Sequence, residues 1–247
     1  PSVNLFYNLS DLENDTTYVA FEYWNDSGWV DVNQGSGEGA LTPGPGKIGL
    51  WNAKAELPNF NNQTKIRIKT WNENYFFDAI YFESSLFNLD TQNPSAPTVN
   101  PYPVKTAIYN RSFAGTKETS SSLNVNGENV VPVNGSTTWV YQSNLSAGPN
   151  LFVLKSLDAM NNESLPTEIN ITYDPNYFIC GDLDGNEFIN VIDVSMLIDV
   201  AFRNGIPPTN FNRGDVNGDG VYDIFDVSLL INHAFRGAPA PTGCLPS

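Results

Sequence analysis

A duplicated acidic stretch between Cys180 and Cys244 restricts the folds open to this chain more than any other part of its sequence. The first copy is CGDLDGNEFINVIDVSMLIDVAF and the second is RGDVNGDGVYDIFDVSLLINHAF. Asp182 of the first copy corresponds to Asp215 of the second, and the copies stay in register at a constant offset of 33 residues. The segment therefore consists of one unit present twice.

Each copy places oxygen-bearing residues at alternating positions, which is how a tight loop surrounds a hard cation. The pattern at loop positions 1, 3, 5, 7, 9 and 12 is that of an EF-hand calcium loop, with Asp in place of Glu at position 12. We therefore predict two calcium ions; the alternative, a solvated acidic surface without metal, fits two loops in register poorly. The predicted ligands are Asp182, Asp184, Asn186, the carbonyl of Phe188, Asn190 and Asp193 in the first loop, and Asp215, Asn217, Asp219, the carbonyl of Val221, Asp223 and Asp226 in the second.

The two loops differ at position 6, where the backbone must turn sharply. The second loop has Gly220 there and the first has Glu187. A non-glycine residue held at positive φ costs on the order of 1 kcal/mol. We expect the first loop to bind its ion more weakly or to bend differently.

An apolar pattern at helical spacing follows each loop, and no comparable pattern precedes it. Each unit is therefore predicted to be a loop followed by one amphipathic helix. The predicted apolar stripes are Val194, Leu197, Ile198, Ala201 and Phe202 after the first loop, and Val227, Leu230, Ile231, Ala234 and Phe235 after the second.

This loop-plus-one-helix duplication, GDLDGNEFINVIDV followed by GDVNGDGVYDIFDV, resembles the dockerin family from Cys180 to about Pro239. The resemblance implies an extracellular module that folds around two calcium ions and docks onto a cohesin domain, with loop positions 10 and 11 choosing the partner. Many cellulosomal dockerins carry Ser or Thr at these positions, whereas the residues here are apolar. They favour an apolar contact, closer to the anchoring class than to the enzyme-carrying class; packing in the module's own core is the alternative. The residues concerned are Val191, Ile192, Ile224 and Phe225.

Cys180 and Cys244 are the only cysteines and bracket this module. The two ends of dockerin-like modules lie close together, so the resemblance implies a disulfide, which would stabilise the module by about 3 to 4 kcal/mol. Two unrelated thiols are the alternative. The disulfide fits the extracellular character of the rest of the chain.

The chain before the module has a β pattern. Val19, Phe21 and Tyr23 alternate with more polar residues, and the Asn126-Gly127 pair predicts a hairpin. The segment NLFYNLSDLENDTTYVAFEYWNDSGWVDV resembles Ig-like or fibronectin-like repeats of bacterial and archaeal surface proteins. The segment TWVYQSNLSAGPNLFVLKSLDAMNNESLPTEINITYD resembles the C-terminal half of a bacterial Ig-like domain. The predicted fold class is mainly β: two Ig-like or fibronectin-like β-sandwich domains in series, residues 1–92 and 93–175, and a small α-helical dockerin-like calcium-binding module, residues 176–247.

The charge balance and the single histidine exclude several classes of function. With 27 acidic and 12 basic residues, a formal net charge of −15, the chain is a poor ligand for nucleic acid or an anionic membrane surface. No apolar run approaches the roughly 20 residues that span a bilayer, and Pro1 begins in strand-like sequence, which predicts a mature or trimmed protein. The lone histidine, His233, lies in the second predicted helix and leaves a Ser-His-Asp or Cys-His site without a base. We therefore predict no catalytic residues.

Two further patterns involve carbohydrate. Trp24, Trp29, Trp51 and Trp71 are suited to a carbohydrate-binding platform, although filling a sandwich core is the stronger alternative for them. Asn-x-Ser/Thr triplets permit N-glycosylation, although an Asn-rich chain also generates them by chance. They begin at Asn8, Asn14, Asn25, Asn62, Asn110, Asn134, Asn144, Asn162 and Asn170.

Together these patterns predict a non-enzymatic extracellular protein that assembles with a protein partner at the cell surface in the presence of calcium. The partner is a cohesin-type domain or another copy of this chain. A self-assembling glycosylated filament or surface-layer subunit is the first alternative. A carbohydrate-binding fragment of a polysaccharide-degrading complex is the second.

Overall fold

The computed structural model describes residues 1–13, 16–72 and 79–244, and Asn14 lies outside them. Within this range the chain is mainly β, and its two long helices follow the acidic loops, which confirms the predicted class. The strands are β1 (Val3–Leu9), β2 (Thr17–Trp24), β3 (Trp29–Asp31), β4 (Gly35–Ser36), β5 (Gly39–Leu41), β6 (Gly44–Trp51), β7 (Asn61–Thr64), β8 (Ile66–Asn72), β9 (Ile80–Glu83), β10 (Phe87–Asp90), β11 (Lys105–Thr106), β12 (Asn110–Thr116), β13 (Ser122–Val125), β14 (Glu128–Val131), β15 (Thr138–Asn144), β16 (Gly148–Leu157) and β17 (Thr167–Tyr173). The helices are α1 (Ala53–Glu56), α2 (Val191–Arg203) and α3 (Ile224–Arg236), with a 3₁₀ helix at Phe211–Arg213.

The described chain divides into two compact units. The first comprises Pro1–Asn100, Ala114–Tyr141 and Val153–Glu168. The second comprises Pro101–Phe113, Gln142–Phe152 and the chain from Ile169 onward. The three domains at 1–92, 93–175 and 176–247 stay a prediction.

Antiparallel sheets build the first unit up to β10. One sheet has the order β1-β6-β4, a second has the order β3-β2-β8-β9 with β5 also on β2, and β7 pairs with β10. The side chains of Val19, Phe21 and Tyr23 point into the core between these strands, as their alternation predicts. The one-turn helix α1 was not predicted, since it is too short to show helical periodicity.

The hairpin predicted at Asn126-Gly127 is confirmed. These residues have φ of +52° and +86° and connect β13 to β14, which pair in antiparallel fashion. Two consecutive positive φ values are what a type I′ turn requires. On its other side β13 pairs with β16.

The second unit contains the acidic loops and both long helices. Its strand β11 pairs in parallel with β17, in the register Lys105↔Thr172 and Thr106↔Tyr173. Strand β17 is the last strand before the first loop. A short connection therefore links the first loop to β17, the strand that pairs with β11.

The two long helices begin and end in the same way. Each starts with a capping box, formed by Asn190 and Asp193 in α2 and by Asp223 and Asp226 in α3. Each also ends in a residue of left-handed conformation. The helices pack through a small core of Leu183, Val194, Leu197, Val216, Val227 and Leu230.

The two phenylalanines of the predicted apolar stripes are not in this core. Phe202 and Phe235, in the last turn of each helix, are 56% and 60% exposed. The core of so small a module covers only the first part of each helix, so the periodic pattern overestimates the buried length. Among the described helices, none is long and apolar enough to cross a membrane.

Candidate functional site

Each acidic loop brings three carboxylates together. One oxygen atom from each of three Asp side chains lies within 4.8 Å of the others in both loops. The carboxylates at positions 1 and 12 are buried in both loops. Like charges this close, and partly removed from water, repel one another unless a cation lies between them. The clusters are Asp182, Asp184 and Asp193 in the first loop and Asp215, Asp219 and Asp226 in the second.

The carboxylate at position 1 organises the turn of each loop through backbone amides. In the second loop, Asp215 Oδ1 accepts a hydrogen bond from Gly218 N at 2.9 Å, and Oδ2 accepts one from Gly220 N at 2.8 Å. Asp182 has the equivalent role in the first loop, where its Oδ2 accepts from Glu187 N at 3.1 Å. The loop conformation thus depends on the first carboxylate in both copies.

The carboxylate at position 12 closes the loop and also caps the helix. Asp226 Oδ1 accepts from Val216 N at 2.9 Å, and its Oδ2 accepts from Asp223 N at 3.0 Å. Asp193 accepts from Asn190 N at 2.8 Å in the same way. Because Asp at position 12 lies in the first turn of the helix, its short side chain reaches the cluster without the extra methylene of Glu.

The other predicted ligands lie around the carboxylates in different ways. The amides of Asn186 and Asn217 donate to the neighbouring cluster carboxylates, in each case at 2.8 Å. Asn190 and Asp223, at position 9, accept from backbone amides of the next helix at 2.8 Å and 2.7 Å and act as its caps. Position 9 often reaches calcium through a water molecule. The predicted contributions of Phe188 and Val221 are backbone carbonyls, so their exposed side chains leave those predictions unchanged.

The donor set fits calcium. Every candidate side-chain donor is an oxygen atom, the preference of hard cations, whereas zinc favours sulfur and nitrogen ligands. Burial raises the pKa of Asp182 and of Asp226, because a charged carboxylate is disfavoured away from water. Burial, and then the charges of Asp215 and Asp226, raise the pKa of Tyr222 to about 12. A bound divalent cation would favour the charged form of the clustered carboxylates.

The backbone turns in the same way at position 6 of both loops, so the prediction that the first loop bends differently is wrong. Glu187 has φ of +72° and Gly220 has φ of +86°. The weaker binding of the first loop stays a prediction.

Sequence reasoning missed Arg213, whose Nη1 lies 3.3 Å from Asp182 Oδ2 and donates to the carbonyl oxygen of the same residue at 2.9 Å. No spacing rule points to this arginine, because it lies in the second repeat and contacts the loop of the first. The equivalent position of the first repeat is Cys180.

The residues at loop positions 10 and 11 lie on the surface rather than in the core of the module. All four are in the first turn of a helix, beside the cap. They form two equivalent apolar pairs, one for each repeat. Their exposed fractions are 59% for Val191, 52% for Ile192, 57% for Ile224 and 65% for Phe225.

A disulfide joins the ends of the loop region. The Sγ atoms of Cys180 and Cys244 are 2.00 Å apart, and 64 residues separate the two cysteines in the sequence. Both cysteines pack against the core of the module. The bond therefore ties the entrance of the first repeat to the end of the second.

We expect Cys180→Ser with Cys244→Ser to lower the free energy of unfolding of the module by about 3 to 4 kcal/mol, because the closed loop restricts the unfolded chain. Urea unfolding followed by circular dichroism at 222 nm, in saturating calcium, measures this loss. Addition of a reductant to the wild-type chain should reproduce it and should leave the double variant unchanged. A midpoint that is the same for both proteins would contradict the prediction.

The possible N-glycosylation positions do not all remain available. Asn162 is fully buried, and its Nδ2, the atom that a glycan would modify, donates to Asp90 O at 3.1 Å and to Asp158 Oδ2 at 2.8 Å. Glycosylation of the folded chain at Asn162 is therefore ruled out. The other described positions are exposed and stay predictions: Asn8, Asn25, Asn62, Asn110, Asn134, Asn144 and Asn170.

The four tryptophans considered for a carbohydrate platform separate in the structure. Trp51 is fully buried and stacks on Tyr23, with ring centroids 5.0 Å apart, so it belongs to the core. Trp24 and Trp29 are half-buried, and Lys65 Nζ lies 5.5 Å and 4.9 Å from their ring centroids. Trp71 stacks on Tyr18, with centroids 5.7 Å apart. All four rings contact a lysine side chain or another aromatic ring, and such contacts stabilise the sheets. These contacts favour a structural role for the tryptophans.

Comparison with known proteins identifies the C-terminal segment. Residues 180–233 match the family described as the dockerin type I domain, so this segment carries a dockerin domain, as its loops predicted. No curated protein matches the chain. Among solved structures, the chain is similar to the fibronectin(III)-like modules of CbhA from Clostridium thermocellum, with 12% identity over 70% of this chain and 85% of that chain and a TM-score of 0.36. It is also similar to the FN1–FN3 domains of chicken CNTN1, with 13% identity over 70% of this chain and 63% of that chain and a TM-score of 0.39.

Proposed function

We propose that this chain is a non-catalytic extracellular subunit that docks through its dockerin domain onto a cohesin-type partner when calcium is bound. One observation carries the proposal. Each of the two carboxylate clusters is continuous with a helix whose first residues present an exposed apolar pair, Val191 with Ile192 and Ile224 with Phe225. The metal sites and the docking residues are thus adjacent parts of one element.

The mechanism that we propose is preorganisation of the docking face. Calcium supplies the positive charge that the clustered carboxylates require. Asp193 and Asp226 hold the loop and the first turn of the helix together, so fixing the loop also fixes the apolar pair that follows. A face that is ordered before the encounter binds more tightly, because less conformational entropy is lost on binding.

The extracellular and non-catalytic assignments have separate support. A disulfide between Cys180 and Cys244 is typical of an oxidising compartment. His233 lies on α3, where its Nδ1 contacts the carbonyl oxygen of Ala238 at 2.7 Å, a contact suited to the end of a helix. Both assignments agree with a role in assembly.

The test is a binding assay of the whole chain against purified cohesin domains of the enzyme-carrying and anchoring classes. In calcium we expect specific binding to at least one of them, with preference for a cohesin that has an apolar contact surface. In EDTA we expect that binding to be lost. A chain that takes up calcium but binds none of the cohesins would contradict cohesin docking, and retention on polysaccharide in EDTA would favour the carbohydrate-binding alternative.

Self-assembly is a second candidate, and one surface favours it. Phe6 of β1 lies directly opposite Ile48 of β6, and both side chains are exposed. Strand β1 is at the edge of its sheet, where an added strand finds free backbone groups. If copies assemble through this face, light scattering of the wild-type chain will give the mass of large particles, and Phe6→Thr with Ile48→Thr will give a monomer.

A further inference from the structure

The first calcium loop makes a buried contact that has no counterpart in the second. The side chain of Glu187 is 7% exposed, and its Oε2 accepts from Arg111 Nη1 at 2.6 Å, with the arginine side chain 16% exposed. The hydroxyl group of Thr106 donates to Oε1 of the same carboxylate. We call these three residues, Thr106, Arg111 and Glu187, the clamp.

The clamp accounts for a glutamate at a position that favours glycine. The two loops share their turn and their pattern of backbone hydrogen bonds, so the loop itself does not require a side chain at position 6. Gly220 holds this position in the second loop, and a Cβ atom there would meet nothing within 4 Å. In the first loop the side chain is instead directed at Arg111 and Thr106. The contact offsets the cost of a positive φ at Glu187.

One partner of Glu187, Thr106, is itself held by several contacts. Thr106 is fully buried, its hydroxyl oxygen accepts from Ile108 N at 3.0 Å, and its carbonyl oxygen accepts from Asp174 N at 2.9 Å. It also lies opposite Tyr173 in the β11–β17 pair. Glu187 is therefore held in part by a buried residue of the β11–β17 pair.

The clamp is connected to the metal cluster through one residue. The backbone N–H of Glu187 donates to Asp182 Oδ2 at 3.1 Å, and Asp182 belongs to the first carboxylate cluster. The residue whose side chain is clamped thus also orients a predicted metal ligand. Arg111 neutralises the charge of Glu187, so the clamp orients the loop without adding net negative charge.

We propose that Arg111 and Thr106 are positioning residues for the calcium site of the first loop, so that calcium binding there and the attachment of the loop to residues 105–111 stabilise each other. The proposal rests on the calcium binding proposed above. Because such coupling is reciprocal, calcium should order residues 105–111, and loss of the clamp should weaken the site. The second loop has no clamp and should be independent of it.

The test is a calorimetric calcium titration of the whole chain and of Arg111→Gln with Glu187→Gln. This pair of substitutions removes one charge of each sign, so the change measures lost geometry rather than altered charge. We expect the Kd of one site to rise about five- to tenfold and that of the other to stay the same. Lys105→Gln with Asp174→Asn is the matched control, since it removes a more exposed neighbouring ion pair with an N–O distance of 2.8 Å. The control should leave both sites unchanged.

Hydrogen exchange followed by mass spectrometry gives a second readout that does not depend on the affinity. In the wild-type chain, calcium should slow amide exchange in residues 105–111, and in the double variant this protection should be lost. If the double variant has wild-type Kd values and wild-type protection from exchange, the positioning role of the clamp is contradicted, while the proposed calcium-dependent docking is unaffected. A wild-type chain that binds no calcium at all overturns both proposals.

Discussion

Removal of calcium with EDTA is expected to abolish most of the helical signal of the chain while its β structure remains. Both long helices begin in capping boxes whose carboxylates, Asp193 and Asp226, are also cluster members. Without a cation, the clustered carboxylates repel one another and the caps lose their fixed geometry. Circular dichroism at 222 nm during a calcium titration of the chelated chain measures the effect, and the signal should return as calcium is added.

The size of the module explains why the effect should be large. Below about 70 to 80 residues, a hydrophobic core rarely contributes more than about 3 to 5 kcal/mol of net stability. At free calcium about 100-fold above Kd, each site that binds only the folded state contributes about 2.7 kcal/mol. Two such sites together contribute about as much as the core itself, and without the ions the repulsion among the clustered carboxylates acts against that core. Folding of the module and binding of the metal therefore approach a single equilibrium.

The second loop can be tested by itself with Asp215→Ala and Asp226→Ala. We expect this variant to bind one calcium ion fewer per chain than the wild type, because it loses the carboxylates at positions 1 and 12. Glu168→Ala with Asp199→Ala is the control, since it removes the same charge from two exposed positions. Equal calcium stoichiometry in the wild type and the loop variant would exclude this loop as a calcium site. In the EDTA experiment, an unchanged helical signal of the wild-type chain would contradict the link between metal binding and folding.

The parts of the site that were predictable from the sequence are those set by local spacing. The loop residues Asp182 to Asp193 are close together along the chain, so their order alone determines which side chains converge. The hairpin at Asn126-Gly127 follows from the same kind of local rule, since two residues that tolerate positive φ select the turn. The mainly β class also follows from alternation within single strands.

The parts that were not predictable depend on residues far apart in sequence. Arg111 and Thr106 lie 76 and 81 positions before Glu187, and no periodicity signals that the fold brings them together. The contact of Asn162 with the carbonyl oxygen of Asp90, the last residue of β10, likewise joins positions that are far apart in sequence. The apolar pairs at positions 10 and 11 were ambiguous for a different reason. Apolar character alone does not say whether a side chain faces a core or a partner, and only the packing of the two helices decides it.

Substitution of the exposed apolar pairs is expected to have the second large effect, on partner binding. Val191→Ser, Ile192→Ser, Ile224→Ser and Phe225→Ser, made together, should weaken binding to a cohesin by about a hundredfold to a thousandfold. Only a minority of interface residues act as hot spots, each worth about 2 kcal/mol or more, so about two hot spots among these four residues account for a loss of this size. Surface plasmon resonance against the cohesin that binds the wild-type chain measures the change.

The matched control is Phe202→Ser with Phe235→Ser, which removes two exposed apolar side chains from the opposite ends of the same helices. If the docking face is formed by the first turns, this control should bind within about threefold of the wild type, as energetically neutral surface positions do. Calcium stoichiometry should be the same in both variants, which separates loss of the face from loss of the fold. If the control loses affinity and the variant with four substitutions keeps it, the docking face lies at the C-terminal ends of the helices. In that case Asp193 and Asp226, which connect each metal loop to the first turn of its helix, do not explain the calcium dependence of binding.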